Sequence, residues 1–203
     1  MELPDDVPVL LFVGNDFGKK GLKTLLDALA TLDRTVQLLV IGRSERISEY
    51  EQQATALGLR SRVHFRGSMS EMSVAYGAAD MLVHPTLEDS YGMVVLEAMS
   101  YGLPVVVSDA PFSGIAKDLT QGLNAILLST PTDAIDLASK IQALLGDREK
   151  ATALATCGVN FATANSWTEA GRRYSTLFSG VTRRYRQRWL VLSHAFNMDG
   201  RAA

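Results

Sequence analysis

The 203-residue sequence has one cysteine, little net charge and no long apolar run, and each of these absences excludes a class of protein. Cys157 has no second cysteine for an internal disulfide, which favours a reducing compartment. A formal net charge of -2 gives no reason to expect nucleic acid as a partner. No stretch reaches the roughly 20 apolar residues of a membrane-spanning helix, and the acidic start does not resemble a signal peptide. We therefore expect a cytoplasmic protein.

The positive charge is concentrated at the end of the chain. Residues 181–203 contain five arginines and one aspartate, so the remainder of the chain is acidic. This predicts a domain over 1–180 and a basic C-terminal tail over 181–203. The tail segment RRYRQRWLVLSHAF mixes arginines with apolar residues, which favours docking on another domain over association with a membrane surface.

Short apolar segments alternate with longer helix-like ones, which is typical of an α/β protein. Strands are predicted at 8–14, 36–42, 62–65, 80–85, 104–109 and 124–129. Helices are predicted near 21–32, 46–57, 70–79, 92–101, 112–118, 132–145, 147–163 and 167–187. Several strands are apolar almost throughout, as strands covered on both faces must be. The order predicts a Rossmann-like parallel sheet with helices on both faces, whose ligands bind beyond the carboxyl ends of the strands.

The loop after the first predicted strand reads GNDFGKKG over 14–21. Its glycines permit tight backbone turns, and Lys19 and Lys20 come just before a helix. A helix N-terminus beside a lysine favours a phosphate group. Two solvated lysines beside an ordinary turn are the alternative, because the segment matches neither common phosphate-binding glycine motif.

The segment 85–109 carries two carboxylates of interest. Glu97 is the only charged residue in MVVLEAM, an apolar stretch expected to pack on the sheet, so it needs hydrogen-bond donors such as two ribose hydroxyls. A glutamate that reaches water from the edge of this face is the alternative. Asp89, eight residues earlier, faces the same pocket or else caps the helix, and Glu88 is a second choice for its role.

The segment DSYGMVVLEAMSYGLPVVVSD resembles the Glu-x7-Glu motif of the retaining GT-B glycosyltransferases of family 4. It is most similar to the subgroup that transfers hexoses onto lipopolysaccharide cores or related glycans. FVGNDFGKKGLKTLLDAL resembles the first β-α turn of that family, and RVHFRG resembles the strand and loop beside the nucleobase. The resemblance extends over about residues 8–180. It implies the C-terminal, donor-binding half of a GT-B fold.

The resemblance implies that Lys20 contacts the donor pyrophosphate, Glu97 the ribose hydroxyls and Asp89 the hydroxyls of the donor sugar. Asp89 and Lys20 are then the predicted catalytic residues. The predicted donor-binding residues are Gly14, Asn15, Lys19, Lys20, Arg66, Asp89, Ser90, Tyr91, Gly92, Met93, Val94 and Glu97. Two positions depart from the family: Asp89 stands where Glu is usual, and Asn15 where a phosphate-binding Arg is common. The second departure removes a positive charge from the phosphate site, so either Lys19 compensates for it or the affinity for the donor is weak.

The resemblance further implies transfer of a hexose from a nucleoside diphosphate sugar, UDP-linked by preference, to a glycan acceptor. The acceptor site belongs to an N-terminal domain that this sequence lacks, in cis or as a separate chain, so we expect the chain to be inactive alone. No metal cofactor is expected, because lysine and helix N-termini stabilise the departing diphosphate. The alternatives are a non-catalytic nucleotide-sugar-binding subunit of a split enzyme and a UDP-sugar epimerase-like domain. Peripheral association with the inner membrane face is a second option for localisation.

Overall fold

The structure is a computed structural model that describes residues 6–197, with side chains described as far as residue 182. Its strands are β1 Val9–Val13, β2 Gln37–Ile41, β3 Val63–Phe65, β4 Met81–His84, β5 Val105–Ser108 and β6 Ile126–Leu128. Its helices are α1 Leu22–Leu29, α2 Ile47–Ala56, α3 Met72–Gly77, α4 Met93–Ser100, α5 Ala134–Leu145, α6 Arg148–Ala164 and α7 Trp167–Asn197, with a 3₁₀ helix at Gly114–Asp118. Every predicted strand is present within two residues of its predicted bounds.

The strands form one parallel sheet in the order β3-β2-β1-β4-β5-β6. The strands of this sheet are mostly apolar because both of its faces are covered, and their few polar residues, such as Gln37 and His84, stand at strand ends or on the edge strand β3. Leu10 and Phe12 of β1 face the layer that contains α1 and α5, whereas Val9 and Leu11 face the layer that contains α3 and α4. Alternate residues of one strand point to opposite faces, so each strand contributes to two cores. The predicted Rossmann-like α/β fold is confirmed.

The segment predicted as a helix at 112–118 differs from the prediction. Only a short 3₁₀ helix forms, because the backbone before it pairs with the loop at 89–91. Asp89 N–H donates to the Phe112 carbonyl, and Gly114 N–H donates to the Asp89 carbonyl at 3.1 Å. A side chain at Gly114 would place its Cβ 2.0 Å from the Ser90 carbonyl oxygen, so only glycine permits this approach. The hydrogen bonds of this segment therefore hold the loop that carries Asp89 in place.

The chain divides into one compact unit that ends at Ala162 and a second that begins at Thr163. In the second unit, Glu169 forms ion pairs with Arg172 and Arg173 along α7. The helix predicted at 167–187 continues to Asn197, so the predicted boundary at residue 180 falls inside it and stays a prediction. The side chains of the tail arginines lie outside the described residues. Within 6–197, no helix is long and apolar enough to span a membrane.

Candidate functional site

A cleft of about 710 Å³ lies beyond the carboxyl ends of β1, β2 and β4. The strand order reverses between β1 and β4, and such a switch point is where open α/β sheets bind their ligands. The cleft is lined by Val13, Gly14, Asn15, Asp16, Lys19, Lys20, Ile41, Gly42, Ser68, Met69, Met72, Glu88, Asp89, Ser90, Tyr91, Gly92, Met93 and Val94. The structure therefore brings together every predicted donor-binding residue except Arg66 and Glu97.

Two glycines allow the loops of the cleft to approach one another closely. A Cβ at Gly21 would lie 1.9 Å from the Pro85 carbonyl oxygen, and one at Gly42 would lie 1.8 Å from the Gly14 carbonyl oxygen. Both glycines have positive φ, at 76° and 132°. No other residue type fits such contacts without moving the backbone. The loop after β1 is thus held against the loops that follow β2 and β4.

Asp89 and Lys20 line one wall of the cleft, and together with His84 behind them they form a buried cluster of three side chains. Asp89 Oδ2 accepts from His84 Nε2 at 2.9 Å and pairs with Lys20 Nζ at 2.8 Å. The His84 side chain is fully buried, and those of Asp89 and Lys20 are 12% and 20% exposed. The hydrogen bond from His84 holds the pKa of the Asp89 carboxyl far below its usual range, aided by Lys20 and opposed by burial. Burial lowers the pKa of His84, which outweighs the attraction of Asp89.

Lys20 also reaches the loop backbone, because its Nζ donates to the Glu88 carbonyl at 3.1 Å. The neighbouring Lys19 differs, since its ammonium pairs with Glu88 Oε2 at 2.9 Å on the surface, with side chains 54% and 70% exposed. The Thr86 hydroxyl lies 3.1 Å from the Lys19 carbonyl oxygen and 3.0 Å from the Glu88 carbonyl oxygen, so its single hydrogen can donate to either and link the two loops. Of the two candidate carboxylates, Asp89 is the one enclosed by protein and Glu88 the one in solvent.

Helix α4 begins at the floor of the cleft without a side-chain cap among the described residues. Its first residue, Met93, follows Gly92, whose φ of 96° turns the chain into the helix. The first N–H groups of a helix have no partner within it, so this end attracts anions. The Tyr91 N–H is already used, because it donates to Asp89 Oδ1 at 3.3 Å. The N–H groups at this end that are available to an anion are therefore those that follow Tyr91.

Glu97 lies one helical turn beyond Met93 and Val94, outside the lining of the cleft. It is exposed, and its Oε2 accepts a hydrogen bond from the Tyr76 hydroxyl at 2.7 Å. Of the two interpretations of this position, the structure has the glutamate that reaches water, because the helix turns Glu97 outward while Val95 and Leu96 pack inward. Tyr76 is itself buried, and burial and the Glu97 carboxylate raise the pKa of its hydroxyl.

Two predicted donor-binding residues remain to be placed: Asn15, which lines the cleft, and Arg66, which does not. Asn15 Oδ1 accepts from the Arg43 N–H at 3.3 Å, so the residue that replaces an arginine joins the loops after β1 and β2. Arg66 is exposed just after β3, and the cleft is lined instead by Ser68 and Met69 of the same loop. No group of three or more His, Cys, Asp or Glu side chains that could hold a metal occurs among the described residues.

Sequence reasoning missed the part played by His84 and Tyr76. His84 ends β4 five positions before Asp89, at the edge of the sheet where ligands bind, and this position was the available signal. Tyr76 lies 21 residues before Glu97 and had no sequence signal that joins the two.

A family model described as glycosyl transferases group 1 matches residues 1–159. The chain is 39% identical over 104 residues to the lipopolysaccharide glucosyltransferase WaaG of Escherichia coli K12, covering 49% of this chain and 28% of that protein. It is 30% identical over 158 residues to the lipopolysaccharide core biosynthesis glycosyltransferase LpsE of Rhizobium meliloti, covering 78% and 45%. The crystal structure of Anabaena Alr3699/HepE in complex with UDP and glucose superimposes with a TM-score of 0.77 at 27% identity, covering 86% of this chain and 49% of that one. The chain thus spans less than half the length of each of these relatives.

Proposed function

This chain belongs to the family of glycosyl transferases group 1, and from that premise we propose that it is the donor-binding domain of a retaining GT-B glycosyltransferase of family 4. The donor is a nucleoside diphosphate hexose, UDP-linked by preference, and the acceptor is a glycan bound by a second, N-terminal domain. A solved relative contains UDP and glucose, and two relatives act in lipopolysaccharide synthesis, which supports this substrate class.

The single observation that carries the proposal is that a mostly buried lysine, Lys20, and an uncapped helix N-terminus line the same cleft. Lys20 has three N–H groups, of which the described contacts with Asp89 and the Glu88 carbonyl use two. Lys20 and the first residues of α4 line the same cleft, so the third N–H and the first N–H groups of α4 are available to a diphosphate bound there. Such donors stabilise the charge of a departing diphosphate without a metal.

In the proposed reaction, the bond between the anomeric carbon and the diphosphate oxygen breaks, and its electron pair stays on that oxygen. Lys20 and the N-terminus of α4 stabilise the new charge. The acceptor hydroxyl bonds to the anomeric carbon on the same face of the sugar and passes its proton to the oxygen of the departing diphosphate. Asp89 Oδ1 accepts from a hydroxyl of the donor sugar, and Glu97 accepts from the ribose. This chain supplies the leaving-group half of the reaction.

A non-catalytic nucleotide-sugar-binding subunit is the second candidate, because Lys20 and the N-terminus of α4 would serve donor binding without transfer equally well. Both candidates bind the nucleotide-sugar donor, but only the first takes part in the transfer of the hexose. We expect the 203-residue chain to transfer no hexose to added glycan acceptors until an acceptor domain is supplied. Transfer that stays absent with that domain present would favour the second candidate.

Calorimetric titration with a panel of UDP- and GDP-sugars tests the proposal. We expect weak but measurable binding of UDP-hexoses, since one wall of the cleft is present. The matched variants Lys20→Met and Lys19→Met each remove one ammonium from the same loop. Lys20→Met should weaken binding by about tenfold or more, the size of one charge-assisted hydrogen bond, and Lys19→Met by much less. Equal effects, or binding by neither nucleotide class, would contradict the proposal.

A further inference from the structure

His84 is a fully buried histidine at the carboxyl end of β4, where the sheet meets the cleft. Its backbone is fixed because it pairs with Val107 of β5, and its carbonyl accepts from the Ser108 hydroxyl at 3.5 Å. The charged groups that face its ring are Asp89, from the loop after β4, and Lys20, from the loop after β1. The ring therefore occupies one defined position behind Asp89.

The hydrogen bonds of the ring identify its protonation state. The Asp89 carboxylate only accepts hydrogen bonds, so His84 Nε2 must carry the hydrogen at 2.9 Å. His84 Nδ1 is buried and has no partner among the residues that the structure describes. A second proton there would leave a buried N–H group unsatisfied and place a second cation beside Lys20. The arrangement thus fits the neutral imidazole with its hydrogen on Nε2.

The two oxygens of Asp89 are used unequally. Oδ2 accepts from both His84 and Lys20, whereas within the described part of the chain Oδ1 accepts one long bond from Tyr91 N–H. A carboxylate offers about four lone-pair positions, so Oδ1 keeps the capacity to accept another hydrogen bond. Lys20 alone could pair with either oxygen or with both. The bond from His84 selects the orientation in which Oδ2 faces the protein.

We propose that His84 is a positioning residue for the donor sugar: its neutral Nε2–H holds Oδ2 of Asp89 so that Oδ1 stays available to a sugar hydroxyl. The proposal rests on the proposed function, because it requires that Asp89 contacts the hexose. A neutral donor suits this task better than a cation, since it orients the carboxylate and leaves its charge balanced by Lys20 alone. His84 should therefore affect recognition of the sugar and leave recognition of the nucleotide unchanged.

The test compares binding of UDP and UDP-glucose by the wild-type chain, His84→Leu and His84→Gln. His84→Leu removes the donor at similar volume, and His84→Gln restores an N–H group near the position of Nε2. In His84→Leu, the ratio of the dissociation constant of UDP-glucose to that of UDP should rise by about tenfold, and His84→Gln should return it toward the wild-type value. An unchanged ratio overturns the proposal, as does a loss of both affinities in equal proportion, which a structural role would produce.

A measurement without ligand separates this inference from the proposed function. Titration of the Asp89 carboxyl carbon by NMR should show a higher pKa in His84→Leu than in the wild type and a lower one again in His84→Gln. If the wild type binds neither UDP nor UDP-glucose, the proposed function fails. Even then, the titration tests whether His84 acts on Asp89, because an identical Asp89 pKa in all three chains would overturn the positioning by His84.

Discussion

The two carboxylates of the site lie in opposite surroundings. In the buried cluster of His84, Asp89 and Lys20, the Asp89 side chain is 12% exposed and accepts from three protein groups. The second carboxylate, Glu97, is exposed, and among the described contacts it accepts only from the hydroxyl of the buried Tyr76. A charge enclosed by protein donors contributes to folding, whereas an exposed one is free to serve a ligand. Mutations in the two regions should therefore separate stability from affinity.

The largest expected difference is in stability. Asp89→Ala leaves Lys20 without its counter-ion and His84 without its acceptor, so the free energy of unfolding should fall by about 3 kcal/mol, the lower end for a broken buried pair. Glu97→Ala, on the surface of α4, deletes one hydrogen bond from Tyr76 and should lower it by about 1 kcal/mol or less. Urea unfolding measures both. Equal losses would show that the two regions do not differ as the structure indicates. Asp89→Asn retains one acceptor oxygen, so its loss of unfolding free energy should lie between those of the two alanine variants.

The second difference is in nucleotide affinity. Glu97→Gln keeps the shape of the side chain but offers one neutral oxygen to the ribose, so UDP affinity should fall by roughly ten- to a hundredfold. Its melting temperature should stay unchanged. As a control, 2′-deoxy-UDP should bind more weakly than UDP to the wild type and almost equally to the variant. Unchanged UDP affinity at equal or raised stability would remove Glu97 from the site.

The third difference is in the response to pH. Burial lowers the pKa of His84 from its ordinary value of 6.5, so the unfolded chain takes up the proton first as the pH falls. The contribution of His84 is thus present above pH 6.5 and lost below it, whereas that of Asp89, whose pKa is also lowered, is lost only below about pH 4. Urea unfolding of the wild type should show declining stability from pH 6.5 to 5.

His84→Gln should remove most of that decline. His64→Gln is the matched control, since burial also lowers the pKa of His64, which is only partly buried. A wild-type curve that is flat between pH 6.5 and 5 would show that His84 does not have to remain neutral in the fold.

The smallest expected effect is that of Tyr76→Phe, which removes the buried hydroxyl that donates to Glu97. The change deletes one hydroxyl, so it should lower the free energy of unfolding by about 1 kcal/mol or less. UDP affinity should change by less than about threefold, because Glu97 keeps its charge and remains exposed. A loss of affinity as large as that of Glu97→Gln would mean that Tyr76 orients the carboxylate for the ribose.

The order of strands and helices was predictable because a sheet covered on both faces requires continuous apolar strands such as 8–14 and 36–42. The loop at 14–21 was predictable for a similar reason, since its glycines mark close backbone approaches. The outward turn of Glu97 was not, because one residue in an apolar helix can face either way until its neighbours are placed. The contact of His84 with Asp89 was not predictable either, since it depends on how the loop at 85–89 folds back onto β4.

The central claim is that the cleft beyond β1, β2 and β4 binds the nucleoside diphosphate of the donor. NMR titration of the full chain with UDP tests it most directly, because backbone amide shifts report the position of the ligand. We expect perturbations to cluster at 14–21, 62–68 and 88–97. A larger hollow of about 830 Å³ lies at the opposite edge of the sheet, beside Pro8, Pro104 and Leu144, and it serves as the internal comparison. Perturbations confined to that edge would contradict the account.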